Sequence, residues 1–160
     1  VLVSGPPGAG KSTLALRAVG SMRGPVLVLL AEERLGPAVG ARLQRVGVRR
    51  DDVHLLDRGS VDALVAAGRE HRARVVLIDS VTASQMLAHD LRALIGVLRL
   101  DALFATAQVT KNGDMRGPRT LEHEADVVVA IERIDEQRGR WLVTKSRFGP
   151  VGTEGETSYV

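Results

Sequence analysis

The chain has 160 residues, 44% hydrophobic and 26% charged; a chain of this length buries roughly 70% of its unfolded surface, so the expectation is one globular domain over residues 1–160. The absence of cysteine excludes a disulfide framework and a thiolate zinc site, and His54, His71, His89 and His123 show no metal-ligand spacing, so no zinc is expected. A net charge of +3 does not by itself argue for nucleic acid, the four aromatic residues are too few for a base-stacking platform, and no apolar run reaches the roughly 20 residues of a bilayer span.

In chain order, apolar runs at 1–4, 26–30, 53–56, 75–79, 103–107 and 127–132 predict strands, most of them near-continuous as strands covered on both faces must be. Between them, 11–22, 37–46, 61–71 and 85–98 carry apolar residues at helical spacing, for example Leu87, Leu91, Leu94 and Leu98. This alternation predicts an α/β fold, a mostly parallel sheet with helices on both faces. After Glu132 the pattern changes: 140–146 and 156–160 read as strands around a turn-rich 148–155, which predicts a C-terminal β-hairpin. The amino end lacks the pattern of a secretory signal, so a cytoplasmic location with no membrane partner is expected. A start on Val1 rather than Met suggests a domain cut from a longer polypeptide.

Gly5-Pro6-Pro7-Gly8-Ala9-Gly10-Lys11-Ser12-Thr13 fits the phosphate-loop pattern and falls between a predicted strand and a predicted helix, where that chemistry requires it. Its glycines let successive main-chain N–H groups turn inward around a phosphate, and the helix start adds partial positive charge. Lys11 is then placed to bridge β- and γ-phosphates, and the Ser12 hydroxyl to ligate Mg²⁺. Asp79 ends an apolar run and would point into the ligand crevice, holding the metal through water; alone, it reads equally as a helix cap. Glu32 and Glu33 follow the second strand, at the same edge. A carboxylate there can polarise water for attack on a γ-phosphate, and Glu32 is the favoured base; the alternative is a solvated helix start favoured by the dipole. A small-molecule phosphotransferase would need an acceptor pocket and a lid, and no lid insertion is present.

Val109-Thr110-Lys111-Asn112-Gly113, Gly117-Pro118-Arg119-Thr120-Leu121-Glu122-His123 and Lys145-Ser146-Arg147-Phe148-Gly149 resemble, in order and spacing, the ATPase core of the RadA/Sms branch of the RecA superfamily. The last segment matches that branch's K-N-R-F-G motif with Ser146 in place of Asn, and the likeness spans nearly the whole chain. It implies a RecA-like phosphate-loop fold that binds ATP with Mg²⁺ and hydrolyses it, in support of DNA recombination and repair. It also implies that the strand ending at Gln108 lies between the phosphate-loop strand and the Asp79 strand, making Gln108 a γ-phosphate sensor. The RadA branch commonly has His there, and RecA has Gln.

By the same resemblance, Lys145 and Arg147, alternating along one strand, reach a neighbouring subunit's ATP, so a homo-oligomeric ring or filament is implied. Without it they read as a solvated basic edge. Single-stranded DNA is implied as a partner of the loop that contains Lys111, Arg116 and Arg119. The longer insertion that supplies a second DNA-binding loop after the metal-binding strand has no room here, because a short connection, one helix and one strand fill the interval from Asp79 to Gln108. Neither the branch's cysteine zinc finger nor its Lon-protease-like domain is in this sequence. The rival reading is a nucleotide-gated assembly module with weak turnover and no DNA binding. Arg42, Arg45, Arg49 and Arg50 are read as a solvated helix end and assigned no site.

Overall fold

The computed structural model describes residues 1–109 and 120–158. Eight strands form one sheet: β1 (Leu2–Gly5), β2 (Val26–Leu30), β3 (Val53–Asp57), β4 (Val75–Asp79), β5 (Ala102–Gln108), β6 (Val127–Arg133), β7 (Arg138–Ser146) and β8 (Glu154–Ser158). They lie in the order β3-β2-β4-β5-β1-β6-β7-β8. The first six in sequence are mutually parallel, and β7 and β8 return antiparallel along one edge. This is the α/β architecture expected, with β5 between β1 and β4 as the resemblance required.

Because side chains alternate across a strand, the continuous apolar runs feed two cores. Val26, Val28 and Leu30 pack with Leu16 and Val19 of α1 (Lys11–Ser21) and Val39 of α2 (Pro37–Arg45) on one face. Leu27 and Leu29 pack with Leu64 of α3 (Val61–Glu70) and Leu91 and Leu94 of α5 (Ala88–Leu98) on the other. That is why these strands show no polar-apolar alternation: neither face is left to water.

Two short helices escape the periodicity argument. α4 (Val81–Ser84) has four residues and α6 (Thr120–Glu124) five, too few to display an apolar stripe. α4 is nucleated locally, by Ser80 accepting from the Ala83 N–H. Gln85, expected to open the next helix, is left-handed at φ 57 and terminates α4 instead. α5 therefore starts at Ala88, with the Asp90 carboxylate reaching back to the Leu87 N–H. The terminal hairpin is β7 with β8, placed two residues earlier than expected and extending the sheet beyond β6. At the other end, Gly5 runs so close to β6 that a Cβ there would lie 2.3 Å from the Ile131 carbonyl oxygen.

Among the described residues no helix is long and apolar enough to cross a membrane. Arg50 is no solvated cation. Its guanidinium donates to the Met22 and Gly24 carbonyls and pairs with Asp52, stapling the α1–β2 turn. Arg42 likewise has a partner, Glu33.

Candidate functional site

In a parallel sheet the crevice beyond the carboxyl ends of the strands collects whatever side chains the βα turns carry. Here the ends of β1, β2, β4 and β5 converge on a cleft lined by Gly8, Lys11, Ser12, Glu32, Asp79, Thr106 and Gln108. Gly8 and Gly10 have φ of 75 and 89, a backbone region L side chains rarely adopt, so both loop glycines are demanded by geometry. Gly10 caps α1 with no side-chain bond, leaving the first amides of the helix to a ligand. A second opening continues from Gly8 and Gly10 past Thr13 toward Arg133 and Glu136, neither of them singled out in the sequence.

The cleft is organised by charge. Lys11 is buried, and its Nζ donates to the Pro6 carbonyl at 2.8 Å. Burial holds the ammonium below the usual lysine range, partly offset by the nearby carboxylates of Asp79 and Glu32. Asp79 Oδ1 accepts from the Ser12 hydroxyl at 3.0 Å and from the Thr106 hydroxyl at 2.6 Å. A hydroxyl and a carboxylate so joined are a hard-oxygen donor pair suited to a small divalent cation that keeps most of its water. Thr106 is fully buried and was missed in the sequence, although a polar residue inside an apolar strand requires a partner.

The two adjacent glutamates diverge. Glu32 Oε1 accepts from the Ser80 hydroxyl at 2.6 Å and from the Gln108 side-chain amide at 3.3 Å, which keeps it in the cleft beside Asp79. A carboxylate only accepts, so the amide nitrogen is the atom that faces it. Glu33 forms an ion pair with Arg42 of α2. Gln108 is further fixed by its backbone N–H, which donates to Thr82 Oγ1 at 3.3 Å.

Lys145 and Arg147 do not join this cluster. β7 ends at Ser146, so Arg147 lies just beyond the strand rather than alternating along it. Lys145 pairs with Val128 near the start of β6, which lies alongside Leu2 at the amino end of β1. Both residues therefore sit at the end of the sheet opposite the phosphate loop. Lys145 Nζ donates to the Glu122 and His123 carbonyls of α6, and Arg147 pairs with Asp126 at 2.8 Å. Phe148, next along, is 81% exposed. Lys111, Arg116 and Arg119 lie outside the described residues.

No protein-family model matches the chain. It is similar to the DNA repair protein RadA of Pseudomonas aeruginosa, 31% identical over 97% of this chain and 38% of the relative. The RadA proteins of Bacillus subtilis (30% identical) and Escherichia coli (29%) match over the same 97% of the chain and cover 38% and 37% of their own lengths. The chain thus spans less than two-fifths of the curated relatives it matches. Along nearly its whole length the chain is thus similar to part of the RadA proteins, and its phosphate loop stands at the tip of β1 in an α/β sheet that sets β5 between β1 and β4.

Proposed function

We propose that the chain binds ATP with Mg²⁺ and hydrolyses it, as the nucleotide-driven core of a DNA repair and recombination protein that handles single-stranded DNA. The observation that carries this reading is the convergence of Lys11, Ser12, Asp79 and Glu32 on one cleft at the mouth of the glycine loop. Residues Gly5 to Thr13 would cradle the phosphates through main-chain N–H groups, with Lys11 exchanging the Pro6 carbonyl for phosphate oxygens. Ser12 and Asp79 would hold Mg²⁺, whose chemistry is neutralisation of charge across the β- and γ-phosphates. Glu32 takes a proton from the attacking water; the water oxygen bonds to the γ-phosphorus, and the bond to ADP breaks with its electron pair leaving on ADP. Gln108, at the tip of β5, donates to the terminal phosphate and senses its loss.

Lys145 and Arg147 are proposed to act on the nucleotide of a neighbouring copy in a ring or filament, because their position at the far end of the sheet keeps them from their own. The exposed Phe148 beside them supports an intersubunit role. DNA contact by Lys111, Arg116 and Arg119 rests on the resemblance and on the similarity to DNA repair proteins. The reading is tested by phosphate release with and without single-stranded DNA at two salt concentrations, together with solution mass in a non-hydrolysable ATP analogue. Turnover that rises with DNA and an assembly that forms with nucleotide are expected; DNA-independent turnover by a monomer overturns the recombination role and the intersubunit assignment.

One observation favours the rival, an ATP-gated assembly module with weak turnover. In the single chain the basic pair is already satisfied, by α6 carbonyls and by Asp126. Replacing Glu32 with Gln separates the two readings, lowering phosphate release by roughly 10²-fold or more under the first and leaving assembly and its slow turnover unchanged under the second.

A further inference from the structure

Ser80 follows Asp79 at the end of β4 and is 2% exposed, yet its hydroxyl belongs to no part of the phosphate cradle. Its Oγ accepts from the Ala83 N–H at 3.2 Å and donates to Glu32 Oε1 at 2.6 Å. A serine hydroxyl has one proton. With the Ala83 N–H occupying a lone pair, that proton is committed to Glu32. The carboxylate itself stands on an exposed segment after β2 and would otherwise sample several rotamers.

The second donor to the same oxygen is of a different kind. The Gln108 amide reaches Oε1 at 3.3 Å, at the long end for a hydrogen bond, whereas the Ser80 bond to the same oxygen is short at 2.6 Å. When two donors of unequal strength share one acceptor, a competing acceptor removes the weaker first. Gln108 is the one free to turn toward an arriving phosphate oxygen, and its backbone stays tethered to Thr82 while it does so. Among the described residues both donors meet Oε1, which leaves Oε2 to accept a proton from water.

We propose that Ser80 is a positioning residue for hydrolysis: its hydroxyl fixes the Glu32 carboxylate through the reaction, while Gln108 is the partner that lets go when the terminal phosphate arrives. This rests on the reading of Glu32 as the base. Ser80 does not exchange its proton in the step; it orients the group that does.

The test is Ser80→Ala in the full chain, measured by phosphate release. The expected result is a kcat lower by about 10- to 100-fold with KM for ATP unchanged. Ser80→Thr, which keeps the hydroxyl, should restore the parent kcat. On a Glu32→Gln background Ser80→Ala should cost nothing further in kcat. A residue that merely caps α4 would lower the melting temperature and leave kcat at the parent value, and that result overturns the proposal, as does an additive loss in the double variant. Should Ser80→Ala not fold, Ser80→Cys, a weaker donor of similar size, replaces it with the same criteria. Full turnover by Glu32→Gln alone would instead discard the base assignment on which the proposal stands.

Discussion

The Lys11 ammonium is desolvated in the cleft, and the neutral carbonyl oxygen of Pro6 is a poor substitute for phosphate. Lys11→Ala should therefore weaken ATP binding by about 3 kcal/mol, more than a hundredfold, through loss of charge-assisted bonds, with the melting temperature of the free protein unchanged or raised. Titration calorimetry and a thermal melt check both. Glu33→Gln should leave turnover within a few-fold of the parent while Glu32→Gln lowers it by roughly 10²-fold or more, because Glu33 is engaged by Arg42 and Glu32 by the cleft. Steady-state phosphate release distinguishes them. The phosphate loop, Asp79 and the Glu pair were legible because each stands at or just past a strand end, where a polar residue breaks an apolar run, whereas Gln108 was singled out by the family resemblance alone. Thr106 and Ser80 were not singled out: their importance lies in which oxygen they meet across the sheet, and that depends on the register of β5 against β4 for Thr106 and of β4 against β2 for Ser80.

At the level of elements, the strands were readable from runs such as 26–30 and 75–79, which a two-sided sheet requires to be apolar throughout. α4 and α6 were hidden because a helix of four or five residues has no period to display, and the start of α5 was misplaced because nothing in the sequence announces the left-handed Gln85. Gly5 joins strand and loop, and its missing Cβ is needed against backbone rather than against a pliable side chain. Gly5→Ala should thus destabilise by about 1–3 kcal/mol, seen in urea unfolding, and disturb the phosphate cradle with it. The α1–β2 staple gives a pH signature. Its partner Arg50 holds the Asp52 carboxyl below the usual carboxylate range. The depressed group stabilises the fold above its unfolded value of 3.8, and that contribution disappears as pH falls through the lower folded value. Melting temperatures of the parent and Asp52→Asn should differ at neutral pH and converge in strong acid.

For the whole molecule, the decisive fact is that the glycine loop and the Lys145–Arg147 tip occupy opposite ends of the sheet. Under the intersubunit reading each chain offers one half of a site at either end, so Lys11→Ala and the double variant Lys145→Ala/Arg147→Ala, inactive separately, should recover phosphate release when mixed. A mixture as inert as its components rejects that reading.

Under that reading the same polarity would make the contact heterologous, one surface meeting a different one, so stacking could continue without a built-in stop. A linear stack always ends in one vacant acceptor and one idle donor, whereas a closed circle wastes neither. Output per chain should accordingly climb with protein concentration as open stacks lengthen and their unproductive tips are diluted, and should plateau abruptly once a circle closes.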